Sequence, residues 1–164
     1  IRRYIMFKPV RKKISEIDHS AAETLLQSNR RGIIVMNGND GYPYAIPINY
    51  YYDRKAQKIY FHGAKAGHKV DVLKTSDKIC FTVYGNEIID DAEPWAPYVQ
   101  SAVVFGRCHL IEGGPESIGR LKEFAMKYYP DESLADEQIA RAGRATQMFE
   151  ITIEYMSGKQ VQEK

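Results

Sequence analysis

The 164-residue sequence is poor in cysteine, with two, and in tryptophan, with one. Cys80 and Cys108 cannot build a disulfide framework, and both sit inside apolar stretches as inert core candidates. Charge of one sign is also lacking: 23 Lys and Arg against 21 Asp and Glu leave +2, no electrostatic reason to expect a nucleic acid or a membrane surface as partner. No apolar run approaches the roughly 20 residues that span a bilayer. The opening Ile1-Arg-Arg-Tyr-Ile-Met6 has basic residues with no apolar stretch behind them, so it does not read as a signal peptide, and Met6 is a candidate native start. The default address is cytoplasmic. No Gly-x-Ser-x-Gly elbow and no Walker or dinucleotide glycine spacing occurs. His62 and His68 stand six apart without a cysteine or acidic companion, so no metal site is expected.

What is present is a globular composition, 44% hydrophobic and 27% charged, in a chain long enough for one domain over residues 1–164. Twelve tyrosines suit half-wet surfaces and clefts, but they suit ordinary strands as well. The apolar pattern is mostly period two. Six stretches read as strands: Ile33 to Met36, Tyr42 to Tyr52, Lys58 to His62, Ile79 to Tyr84, Ser101 to Ile111 and Met148 to Tyr155. The cluster Asn37-Gly-Asn-Asp-Gly41 turns the first into the second. Short connections between six strands predict a closed antiparallel barrel, mainly β with peripheral helices. Ser20-Ala-Ala-Glu23 reads as a capping box opening a helix over about Ala21 to Ser28. Gly114-Pro115 opens another, with Ile118, Leu121, Phe124 and Ala125 at helical spacing. A weaker helical stretch covers Asp136 to Ala142, and a short one begins near Gly67 and buries Val70 and Leu73. Asp90 to Pro97, around Trp95, is the longest irregular stretch.

Two segments could carry chemistry. Pro43 and Pro47 fall inside an otherwise good strand; proline cannot donate to a ladder, so that strand is an edge or carries a bulge. Its free face and Asn49 could meet a ligand, although proline on an edge also simply guards against aggregation. In Tyr60-Phe-His-Gly-Ala-Lys-Ala-Gly-His-Lys-Val-Asp71 a strand runs through small residues into a helix start beside Lys65, His68 and Lys69. Backbone N–H groups there, together with the helix dipole, favour an anion such as phosphate. An ordinary turn with exposed lysines is the plainer alternative. The acidic Asp90-Asp91-Ala92-Glu93 and the scattered Arg30, Arg31, Arg141 and Arg144 read as solvated charge.

These segments, in this order, resemble the flavin-binding split-barrel superfamily that includes pyridoxamine 5′-phosphate oxidase, and within it the 5-nitroimidazole-resistance (Nim-like) branch. The resemblance rests on Gly41 to Asp53, Ile59 to Asp71, Tyr98-Val-Gln-Ser-Ala-Val-Val-Phe-Gly106 and Phe149 to Lys159, nearly the whole chain. It implies a six-stranded split barrel forming a homodimer, with FMN at the subunit interface and residues 1–12 as an N-terminal segment partly ordered only on the dimer. Gly63, Ala64, Gly67, His68 and Lys69 match the turn holding the FMN phosphate. Pro47, Ile48 and Asn49 match the strand along the flavin ring, with His62 at the ring's edge as the candidate catalytic residue. Gln100 and Ser101 match the strand reaching the ribityl region, and Trp95 and Tyr98 would come from the partner subunit. Val99-Gln100 stand where members often carry an aromatic and an arginine, which removes one anion contact.

The implied activity is FMN-dependent reduction of a nitroaromatic or quinone-like acceptor by hydride transfer, with NAD(P)H a candidate donor. Two alternatives stand beside it. One is a module holding FMN, haem or a deazaflavin without turnover, as sensor or store. The other is pyridoxamine 5′-phosphate oxidation, for which the segment from Met148 to Lys164 offers few basic residues.

Overall fold

The structure, a computed structural model, describes residues 7–95 and 98–161. The Ile1 to Met6 start and Pro97 of the irregular stretch lie outside them.

Strands β1 (Glu16–Ile17), β2 (Arg31–Asn37), β3 (Pro43–Asn49), β4 (Tyr51–Asp53), β5 (Lys58–Ala64), β6 (Lys78–Ile88), β7 (Tyr98–Ile111) and β8 (Thr146–Val161) form one sheet. Helices α1 (His19–Ser28), α2 (His68–Thr75), α3 (Pro115–Met126) and α4 (Glu132–Ala142) pack around it. The ladder runs β3-β2-β6-β7-β8-β5-β4, every pairing antiparallel, with β1 added beside β8. The result is a mixed β and α fold built on a curled, open sheet.

This corrects the closed six-stranded barrel in two respects. The sheet has eight strands, because the stretch from Tyr42 to Tyr52 divides at Tyr50 into β3 and β4, and because β1 is added. Its two end strands, β3 and β4, are not bonded to each other. The chain itself crosses that seam at Tyr50. The prolines belong to the edge strand β3, as their missing N–H groups require.

Alternation fills the inside of the curl. Ile34, Met36, Ile48, Ile59, Phe61, Ile79, Phe81, Val83, Val104, Phe149 and Ile151 are buried there, and α1 closes it with Leu25 and Leu26. A second cluster forms where α3 lays Leu121 and Phe124 on Tyr60 and Met148. Gly106 sits where β7 and β8 shift register; a Cβ there would lie 2.3 Å from the Thr152 carbonyl oxygen, so only glycine allows the approach.

The cap of α1 differs from the capping-box expectation. Asp18, not Ser20, caps the helix, its carboxylate accepting from the Ala21 N–H at 2.7 Å. Glu23 turns inward instead. It accepts from the Tyr52 hydroxyl at 2.8 Å, from Arg54 Nε at 2.8 Å and from Gln57 Nε2 at 2.5 Å, tying α1 to the β4–β5 hairpin.

Candidate functional site

The seam has two open strand edges. β3 ends the ladder, and β5 beyond Tyr60 has β8 on one side only. The two edges approach each other, and the start of α2 lies beside them, the Tyr44 and His68 rings meeting edge-on at 4.5 Å.

At the α2 start, Gly67 is the N-cap with φ +121°, a conformation that favours glycine, and no side chain caps the helix. A Cβ at Gly67 would meet nothing within 4 Å. Lys65, His68 and Lys69 have no carboxylate partner among the described residues, so uncapped N–H groups adjoin an open space with basic side chains beside it. These residues fit the phosphate of a nucleotide-type cofactor. Lys69, however, is folded inward: its ammonium lies 5.2 Å from the Phe61 ring centre and 4.9 Å from that of Phe149. Gly63 makes the room, since a Cβ there would stand 2.6 Å from Lys69 Nζ. Burial lowers the Lys69 pKa, while neighbouring Cys108 acts the other way. Burial pushes the Cys108 thiol up to about 12, which keeps it protonated and fits an inert core residue.

At the other end of the seam, Asn49 and His62 line one pocket of about 220 Å³. The pocket is roofed by the α3–α4 hairpin through Phe124, Tyr128 and Gln138. The His62 ring meets Phe124 edge-on at 4.8 Å. Burial, and then the Lys69 charge, lower the His62 pKa, so its imidazole is mostly uncharged near neutral pH. The hairpin residues were not singled out as functional from the sequence. Both helices are legible there, but the residues they lay on the pocket carry no motif.

The remaining expected residues lie elsewhere. Ile48 points into the core, leaving only its backbone to a ligand. Ala64 is exposed at the end of β5. Pro47 faces outward beside a groove with Arg31, Thr82 and Tyr84. Ser101 lies opposite Tyr84 on one side and Lys159 on the other, beside Arg11 and Lys12. Gln100 is engaged locally, accepting from Asn86 Nδ2 at 2.7 Å, and the Tyr98 hydroxyl donates to Gln160 at 2.7 Å. Trp95 is 70% exposed on the β6–β7 connection. Between the seam and β7 the outer face of the sheet carries the exposed Ile33, Tyr84 and Phe105. Among the described residues no group of three or more His, Cys, Asp or Glu could hold a metal, and no helix is long and apolar enough to cross a membrane.

The family model described as pyridoxamine 5′-phosphate oxidase matches residues 18–160, from the α1 cap to the end of β8. The chain belongs to that family. Comparison with curated proteins gives no match. Among solved structures, the flavocytochrome Anf3 of Azotobacter vinelandii is similar over 94% of this chain and 72% of its own, with TM-score 0.75 and 21% identity. A candidate 5-nitroimidazole antibiotic resistance protein of Bacteroides thetaiotaomicron VPI-5482 is similar over 88% and 86%, with TM-score 0.73 and 19% identity. The FAD and haem binding protein of Mycobacterium smegmatis is similar over 90% and 72%, with TM-score 0.62 and 16% identity. At these identities the likeness is one of fold.

Proposed function

We propose that this protein is an FMN-binding redox module whose cofactor lies along the seam, its phosphate at the start of α2. The observation that carries the reading is the uncapped α2 N-terminus at Gly67, with Lys65, His68 and Lys69 lacking carboxylate partners. The backbone edge of β3 at Pro47 to Asn49 would orient the flat ring, and Lys69 would leave the Phe61 and Phe149 faces to meet phosphate. When bound, FMN supplies two-electron transfer through its N5 position. The relatives named for flavin, and for flavin with haem, support a cofactor-holding role ahead of any particular reaction.

A homodimer belongs to the same reading. The seam and Ser101 on β7 lie apart on one chain, so a cofactor touching Trp95, Tyr98, Gln100 and Ser101 as well as the α2 turn calls for a second copy. The exposed Ile33, Tyr84 and Phe105 give the outer face apolar area for one.

A second reading, turnover, is favoured by the pocket at His62. A nitroaromatic or quinone-like acceptor entering it would meet His62 as hydrogen-bond donor or proton source and Asn49 as a positioning group. Visible spectroscopy of the purified protein tests both readings. A flavin spectrum that anaerobic NAD(P)H and then a nitroaromatic leave unchanged supports the module. A spectrum that bleaches with NAD(P)H and recovers with the acceptor establishes turnover, and a Soret band would add haem. A colourless protein that ignores added FMN overturns the cofactor assignment.

A further inference from the structure

The hydrogen bonds around the His62 pocket fix what kind of molecule it can hold. Asn49 Oδ1 accepts from Arg31 Nε at 3.2 Å, and Gln138 Oε1 accepts from Arg141 Nη2 at 2.6 Å. A guanidinium can only donate, so it fixes which end of each carboxamide is oxygen. The NH₂ ends of Asn49 and Gln138 make no hydrogen bond within the described residues, and both side chains line the pocket. Thr146 Oγ spends its proton on the Ala142 carbonyl at 3.0 Å. The pocket lining contains no Lys, Arg, Asp or Glu, and its volume of about 220 Å³ is below the usual range for drug-sized ligands. Its apolar wall mixes aromatic Phe124, Tyr128 and Tyr129 with aliphatic Leu121 and Ile139, and the Phe124 ring already packs edge-on with His62.

We propose that this pocket binds a neutral one-ring aromatic molecule bearing an uncharged oxygen acceptor, a carbonyl, quinone or nitro oxygen, received by the amide NH₂ groups of Asn49 and Gln138. A phosphorylated or carboxylate ligand would enter without a cation in the lining to replace its lost hydration. A purely apolar ring would gain no hydrogen bond from the two amide donors. The largely uncharged imidazole of His62 agrees with a neutral occupant. The inference deepens the turnover reading, on which it rests for its biological role, while the binding itself stands on the pocket alone.

The test is a titration of the full-length protein as purified, with no electron donor present, followed by amide NMR shifts at Gly143 and Thr146. Acetophenone carries the ring and the neutral carbonyl, toluene only the ring, and benzoate the ring with an anionic group. Acetophenone should bind saturably and shift those amides, with toluene and benzoate each weaker by about tenfold, the scale of one hydrogen bond. Asn49→Leu, at an exposed position, and Gln138→Leu, at a half-buried one, should each weaken acetophenone by a similar factor and leave toluene unchanged. Arg141→Ala, which frees the Gln138 amide to turn over, should weaken it less than Gln138→Leu. Absence of saturable acetophenone binding, benzoate or toluene binding as tightly, or indifference to both leucine variants would overturn the proposal. A colourless protein that ignores added FMN yet still binds acetophenone would defeat the flavin reading and leave this one standing.

Discussion

The Tyr128 hydroxyl serves both backbone groups of Tyr50. It accepts from the Tyr50 N–H at 2.8 Å and lies 2.7 Å from the Tyr50 carbonyl oxygen, with the Arg30 carbonyl oxygen at 2.6 Å as a second acceptor for its single proton. Tyr50 is the residue at which the chain crosses between the end strands, so no ladder partner can satisfy it. A side chain from just beyond α3 does so instead. Tyr128→Phe should leave a buried N–H unpaired and cost about 1–3 kcal/mol. Thermal denaturation should show a Tm lower by several degrees, and an unchanged Tm would show that water can replace the hydroxyl.

Two buried tyrosine hydroxyls should respond to loss in opposite ways. Tyr50 Oη donates to the Leu26 carbonyl at 2.5 Å, whereas Tyr60 Oη, on a residue 0% exposed, has no partner among the described residues. Tyr50→Phe removes a made bond and orphans a carbonyl, and should lower Tm. Tyr60→Phe removes an unmet desolvation cost and should leave Tm unchanged or raise it. A clear loss of stability in Tyr60→Phe would mean that its hydroxyl finds a water or Glu150 in solution.

The core was largely legible in the sequence, because burial in strands follows a strict period of two. Tyr44, Ile46 and Ile48 face inward with Tyr50 and Tyr52, as alternation requires, even though the strand breaks between them. The break itself was not legible. Alternation is blind to which strands pair, and only the closure of the curl makes Tyr50 a crossing point. Gly67 and the α2 start could be read, since glycine before a helix is a local signal. The inward turn of Lys69 could not, because it depends on Phe149, eighty residues away in sequence, stacking on Phe61 at 4.7 Å. The cap of α1 was misplaced for a similar reason. Ser-x-x-Glu is a local pattern, but Tyr52, Arg54 and Gln57 draw Glu23 away from the helix end.

Glu23 gives the fold an acid-sensitive tie. Burial alone would raise its pKa, but hydrogen bonds from Gln57, Tyr52 and Arg54 outweigh burial and hold it below the ordinary carboxylate value. A lowered folded-state pKa stabilises the protein fully above the unfolded value of about 4.3, and the contribution is lost as pH falls through the folded value. Glu23→Gln should therefore cost about 1.5–3 kcal/mol at pH 7, the scale of hydrogen bonds to a charged group. The stability gap between variant and wild type should narrow below about pH 4. Equal gaps at pH 7 and pH 3 in denaturant melts would exclude the carboxylate as the cause.

Lys69 and His62 are coupled across the seam, and Lys69→Met reads that coupling directly. Burial and the Lys69 ammonium both lower the His62 pKa. Removing the charge while keeping most of the side-chain bulk over Phe61 and Phe149 should let the pKa rise toward about 6.5, followed by NMR titration of the imidazole. Because the folded-state pKa is lowered, the native state binds fewer protons than the unfolded chain, and wild type loses stability as pH falls below about 6.5. Lys69→Met should lose less over the same range. The same variant bears on the cofactor: if the ammonium swings out to meet phosphate, FMN affinity measured by fluorescence quenching should fall by about 1.5–3 kcal/mol. A Lys69→Met protein with a raised His62 pKa and unchanged FMN affinity would keep Lys69 in the aromatic seat and leave the phosphate to the backbone of α2 and to Lys65.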